Sequence, residues 1–191
     1  MENLIAKALE ELGSEKTPDE STAEFELRLQ QFKIFLLGIG AGLRRKEIDS
    51  LLWTQIEFDV CEIRLEANEH YGLKSDSSSA TVPIDQEIAK LLETLYHSSK
   101  GEFVVESRHP PKPNASYSYI RAQVAFSGLY RWLRENGVAD QKPLHALRKE
   151  YGSIINKNHG LFAAQCALRH ADISTTANHY LDASERITPQ I

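Results

Sequence analysis

The stretch that decides the reading begins Leu144-His145-Ala146-Leu147-Arg148 and passes through Lys149 to Ala167. It resumes as Leu168-Arg169-His170-Ala171-Asp172-Ile173-Ser174-Thr175-Thr176 and closes on His179-Tyr180-Leu181-Asp182. Lys142-Pro143 leads into a helix, because proline fits the first helical turn. His145 and Arg148 stand three apart and share a face of that helix, with Lys149 beside it. Leu161 to Leu168 predicts a second, short helix. Ile173 to Tyr180 predicts a third, with Asp172, Ser174 or Thr175 near its start. Four groups able to hold or attack a phosphate follow in fixed order: His145, Arg148, His170 and Tyr180.

The rest of the 191 residues bounds what these groups can belong to. That length holds one sizeable domain or two small ones. Apolar residues at 41% and charged residues at 26% are ordinary for a water-exposed globular chain. No apolar run reaches the length of a membrane span, the longest being Ile34 to Leu43 with its glycine and alanine breaks. The segment Met1-Glu2-Asn3-Leu4 lacks the basic start of a secretory signal. Cys61 and Cys166 are far apart and outside any motif, which predicts two reduced core thiols. The net charge of −5 is uneven: residues 1–100 carry 11 Lys+Arg against 19 Asp+Glu, and residues 101–191 carry 11 against 8. Phosphate binding depends on local clusters, since charges beyond about 8 Å are largely screened at physiological salt. The acidic total therefore permits a nucleic-acid partner but predicts modest affinity.

Upstream, residues 3–12 have helical apolar spacing and stop at Gly13. Ser14 to Pro18 reads as a linker. A second helix starts from Asp19, Ser21 or Thr22 and runs to Gly38 or Gly40, its end buried. Arg44-Arg45-Lys46 then places three cations at a helix start, where the helix dipole is already positive. A phosphate site or a solvated basic turn accounts for them equally well. Ile56-Glu57-Phe58, Glu62 to Glu66 and Ala80 to Ile84 alternate like half-buried strands and predict a small antiparallel sheet. Lys74 precedes the Asp76 to Ser79 turn, a place where a lysine is usually solvated. Helical spacing returns from Asp85. Phe103-Val104-Val105 predicts a short strand, and His109 to Asn114 a proline-rich loop. Tyr119 to Glu135 predicts a helix ended by Asn136-Gly137.

Phosphodiester chemistry without a metal needs fixed cations and donors around the transition state, a nucleophile and a proton for the leaving oxygen. Arginine reaches two phosphate oxygens with its planar fork. Histidine donates or moves protons near neutral pH. A tyrosine nucleophile needs cations nearby, because its ordinary pKa is about 10. A lysine can protonate the leaving group. Arg44, Lys74, His145, Arg148, His170 and Tyr180 meet these needs. No carboxylate cluster for a divalent ion, no zinc-ligand spacing and no Walker-type loop is present, so no cofactor and no metal is expected.

In these boxes the chain resembles the catalytic domain of the tyrosine recombinases, the phage integrase family. Gly42-Leu43-Arg44-Arg45-Lys46-Glu47-Ile48 resembles its first arginine box. Lys74 with Thr81-Val82-Pro83-Ile84 resembles its hairpin lysine segment, and His145-Ala146-Leu147-Arg148 its His-x-x-Arg box. Leu168-Arg169-His170, Ser174-Thr175-Thr176 and Tyr180 resemble the last box. The likeness spans residues 20–184, with 22 residues from Arg148 to His170 and 10 from His170 to Tyr180. Lys149 stands where many relatives carry histidine. Arg169 stands where a glycine usually precedes the last histidine.

The resemblance implies an α+β, mainly helical fold with a small three-stranded antiparallel sheet, of the DNA breaking-rejoining type. It implies site-specific recombination or integration through a 3′-phosphotyrosyl link made by Tyr180. Arg44 and Arg148 would clamp the phosphate, His145 and His170 assist, Lys74 act as general acid, and Glu47 support Arg44. Double-stranded DNA is the implied partner, with a tetramer on DNA, a monomer in isolation and no membrane. A cytoplasmic, nucleoid-associated protein encoded by a bacterium or phage follows. Residues 1–19 form a helix and linker too short for the family's N-terminal DNA clamp. Residues 20–191 then form the catalytic domain, and the chain reads as a fragment of a longer protein. A non-catalytic DNA-binding relative and a type IB topoisomerase-like nicking-closing enzyme are the alternatives.

Overall fold

The computed structural model describes residues 2–67, 79–112 and 119–169. Helix α1 spans Glu2–Glu11 and α2 spans Thr22–Gly40. Of the three candidate caps for α2, Ser21 serves: its Oγ accepts from the Glu24 N–H at 3.2 Å, and Glu24 Oε2 accepts from the Ser21 N–H at 2.9 Å. This reciprocal pair satisfies two N–H groups that a helix start leaves open. Arg28 fastens the linker, donating to the Leu12 and Ser14 carbonyls and to the Glu20 carboxylate. Leu4, Ala8 and Leu12 join the same core as the continuous apolar run Ile34 to Leu37.

Helix α2 is the central element. It packs against α5 (Gln123–Glu135) and α6 (Pro143–His159). Gly38 permits the α6 contact, since a Cβ there would lie 3.0 Å from Leu144 Cδ1 and 3.2 Å from Leu147 Cδ1. A short helix α3, Arg45–Ser50, follows α2. The strands β1 (Ile56–Glu57), β2 (Glu62–Leu65) and β3 (Ala80–Pro83) form an antiparallel sheet in sequence order. Ile56 pairs with Ile63, and Ile63 with Val82, which lines three buried side chains along one face. Helix α4 (Gln86–His97) follows, capped by Asp85, and α7 (Leu161–Leu168) succeeds α6. This is the mainly helical architecture with a three-stranded antiparallel sheet that the sequence predicts. Among the described residues, no helix is long and apolar enough to cross a membrane.

Three local expectations change. Phe103-Val104-Val105 is buried but makes only an isolated bridge, Phe103 with Leu52, in place of a strand. Helix α5 starts at Gln123 rather than Tyr119. The buried Asp49 carboxylate accepts from the Arg121 and Ala122 N–H groups, both at 2.8 Å, so a side chain from α3 caps the entry to α5. Only one of the two free cysteines meets the core: Cys61 is half-buried against it, and Cys166 is exposed. The turn at Asp76 to Ser78 and the helix expected from Ile173 to Tyr180 lie outside the described residues.

Candidate active site

The site gathers where α3 begins, α6 passes and α7 ends. The chain leaves α2 through Ala41 and Gly42, and Gly42 has φ +57°, a conformation disfavoured for side chains with a Cβ. Space gives a second reason for glycine: a Cβ at position 42 would sit 2.4 Å from the Tyr151 ring of α6. This close passage presents the Gly42 carbonyl to Arg148, on the turn of α6 before Tyr151, and sets Arg44 at the N-cap of α3.

Arg148 is buried, only 4% exposed. Its Nη1 donates to the Gly42 carbonyl and its Nη2 to the Leu168 carbonyl at the end of α7. Arg44 is half-exposed. Its Nη1 lies 2.8 Å from Glu47 Oε1, and its Nη2 donates to the Arg169 carbonyl at 3.0 Å. The C-terminal carbonyls of α7 thus accept from both arginines, as the negative end of a helix favours. Glu47, buried in the first turn of α3, accepts from the Arg44 N–H at 2.7 Å and from Arg169 Nη2 at 2.7 Å. Two guanidinium groups thus contact one carboxylate, and the third, Arg148, lies within its electrostatic reach.

Burial depresses the Arg148 guanidinium to about 9, with Arg44 and Arg169 pushing the same way and Glu47 opposing. It stays charged at neutral pH. Burial by itself would raise the Glu47 carboxyl, but Arg169 and the N–H and charge of Arg44 outweigh it and hold the group below its ordinary value. Burial raises the Tyr151 phenol, against the pull of Arg169 and Arg148. Among the described residues the cluster holds three cations and one anion, an excess of positive charge in a poorly solvated place. Unassisted, that is costly; an anion bound beside it offsets the cost.

The structure therefore brings Arg44 and Arg148 together from segments about a hundred residues apart in sequence, and places Glu47 on Arg44 as the resemblance implies. His145 sits on the first turn of α6 and is exposed, within electrostatic reach of Asp140. Lys149 pairs with Asp140 at 3.6 Å. His159 is exposed at the end of α6. Lys74, His170 and Tyr180 lie outside the described residues. Among the described residues, no cluster of His, Cys, Asp and Glu could hold a metal ion. Two participants escape the sequence reading. Tyr151 packs on Gly42, and its one sequence signal is its place one turn after Arg148. Arg169 engages Glu47, where the sequence shows only an extra cation.

Comparison with known proteins adds to this geometry. The profile described as "Phage integrase family" matches residues 6–186. The prophage integrase IntS of Escherichia coli is 30% identical over 153 residues, which are 74% of this chain and 35% of that protein. A XerC-like tyrosine recombinase of Caldanaerobacter subterraneus subsp. tengcongensis is 25% identical over 172 residues, covering 77% of this chain and 44% of that one. The chain thus spans less than half the length of these curated relatives. The solved Tn1549 transposon integrase in complex with circular intermediate DNA superposes with a TM-score of 0.65 at 16% identity, over 94% of this chain and 61% of that one.

Proposed function

The chain belongs to the phage integrase family, and from that premise we propose that it cuts and rejoins double-stranded DNA as a site-specific tyrosine recombinase. The observation that carries this reading is the pairing of Arg44 and Arg148 at the end of α7, on the residues that immediately precede His170. Two guanidiniums fixed by backbone carbonyls and a carboxylate are preorganised donors, which is what stabilises charge developing on a phosphate. The names of the relatives, a prophage integrase and a recombinase, support the same reaction class.

In the reaction, the Tyr180 oxygen attacks the scissile phosphorus. A 3′-phosphotyrosyl bond forms, and the 5′-oxygen leaves as a hydroxyl with a proton from Lys74. Arg44 and Arg148 hold the non-bridging oxygens, and His145 and His170 bind phosphate and move protons. A 5′-hydroxyl from a second duplex then attacks the link and restores the diester, so the bond energy is conserved and neither ATP nor a metal enters. DNA exchange between duplexes requires several protomers on paired DNA. The greater length of the curated relatives supports a further DNA-clamping domain outside residues 20–191.

The test is covalent trapping. A pool of nicked duplexes, screened at low salt where phosphate contacts are strongest, yields a protein–DNA adduct stable to denaturant. Tyr180→Phe abolishes it. An adduct that persists in Tyr180→Phe refutes the nucleophile. Binding without any adduct points to the non-catalytic alternative. Relaxation of a supercoiled plasmid by protein unable to join two duplexes points to the nicking-closing one.

A further inference from the structure

Arg169 occupies a position where three local features work against an arginine. It ends α7 in the left-handed conformation, φ 52° and ψ 45°, which favours glycine. Its side chain is largely buried, and its Nε and Nη1 have no hydrogen-bond partner among the described residues. Its guanidinium is depressed by burial and by the nearby Arg44. A glycine, the residue usual here in the resemblance above, avoids all three.

What the side chain does is grip Glu47. Arg169 Nη2 meets Glu47 Oε2 at 2.7 Å, the same oxygen that accepts the Arg44 N–H. The other Glu47 oxygen takes Arg44 Nη1, and the Arg169 carbonyl takes Arg44 Nη2. Arg44 is therefore held at three donors by a unit made of Glu47 and Arg169, which are 122 residues apart. A charge argument points the same way. Glu47 facing Arg44 alone would neutralise it, leaving Arg148 as the net cation. With Arg169 sharing the carboxylate, Arg44 keeps its positive field for an anion.

We propose that Arg169 is a positioning residue, which orients and keeps electropositive the guanidinium of Arg44 by clamping Glu47. The inference rests on the reading that Arg44 binds the scissile phosphate. Arg169, the residue before His170, thereby ties the end of α7 to the first arginine segment.

The test uses the whole chain with Arg169→Gly, which suits the left-handed backbone and keeps the carbonyl bonded to Arg44, and with Arg169→Lys, which keeps the charge without the fork. The first readout needs no DNA: nitrogen-15 NMR of the guanidinium groups, with the Arg44 signal assigned by its loss in Arg44→Lys. In the parent chain the Arg44 Nη signals are resolved because rotation is hindered. In Arg169→Gly they average. The second readout is adduct formation on the nicked duplex pool. Arg169→Gly slows it tenfold or more at saturating DNA and changes duplex affinity less than threefold, while Arg169→Lys recovers part of the rate. Unchanged Arg44 signals in Arg169→Gly overturn the proposal. So does a tenfold loss of affinity with the saturated rate intact, which would make Arg169 a direct phosphate ligand. If the parent chain forms no adduct yet the Arg44 signals average in the variant, the catalytic reading fails and the positioning role stands. If Arg169→Gly does not fold, the same NMR comparison is made on Arg169→Asn, which also tolerates the left-handed backbone but cannot reach Glu47 with a charge, and unchanged Arg44 signals there overturn the proposal.

Discussion

Lys33 offers the sharpest test of the core. It lies on α2 among apolar residues, 3% exposed, with its Nζ 3.1 Å from Ser99 Oγ and 5.3 Å from the centroid of the Trp53 ring. Burial lowers its ammonium from 10.5 to about 8, with the Glu106 charge opposing. The folded pKa is the depressed one, so between those two values the unfolded chain binds more protons than the native one. Stability from this group is therefore smallest below pH 8 and rises as pH climbs towards 10.5. From pH 7 to pH 10 the linkage amounts to about 2.5 kcal/mol. For a chain of this size that corresponds to roughly 5–10 °C in Tm. Other groups titrate over the same range, so the measurement is a difference. Urea unfolding of the parent chain and of Lys33→Met is followed at pH 7, 8, 9 and 10. Methionine keeps the length of the buried stem and removes the charge. The parent curve rises relative to the variant by about 2.5 kcal/mol across the range. Lys33→Met is also the more stable protein at pH 7, because it buries no charge. Parallel curves, within about 0.5 kcal/mol of one another, would refute the assignment of a strained, charged lysine to this core.

Two further substitutions probe how the site is held. Gly42→Ala forces a Cβ into the Tyr151 ring at a positive φ and costs about 2–4 kcal/mol in denaturant unfolding; Gly42→Ala combined with Tyr151→Leu recovers part of that loss, and full additivity of the two changes would contradict the contact. Asp49→Ala leaves the Arg121 and Ala122 N–H groups without their acceptor and removes the carboxylate charge beside the buried Arg121 guanidinium, costing about 3–5 kcal/mol. Hydrogen exchange in Asp49→Ala quickens first at residues 121–123, and unchanged protection there would remove Asp49 as the cap of α5.

The order of elements, the class of fold and the boxes of the site could all be read in the sequence, because each depends on neighbours in the chain. The 3.6-residue spacing marks α1 and α4, Lys142-Pro143 marks the start of α6, and the alternation at Ile56 to Glu66 marks β1 and β2. The Ser21 cap of α2 announces itself by Glu24 three residues on. The start of α5 did not, since its cap is a carboxylate from position 49. Phe103 to Val105 has a strand's composition, but its pairing stops at one bridge opposite Leu52, where the Val104 N–H donates to the Leu51 carbonyl and the Glu102 carbonyl accepts from the Trp53 N–H.

The same division holds in the site. Sequence by itself determined the order of the residues proposed for the phosphate, Arg44, Lys74, His145, Arg148, His170 and Tyr180, which resembles that of the family. Only the tertiary structure decided that Arg44 and Arg148 meet at the carbonyls ending α7, that Gly42 is a glycine because Tyr151 lies against it, and that Arg169 turns back onto Glu47. The physical reason is range. Helical periodicity and caps act over three or four residues, whereas burial, excluded volume and charge act between whatever groups the fold makes adjacent, here 20 to 125 residues apart along the chain.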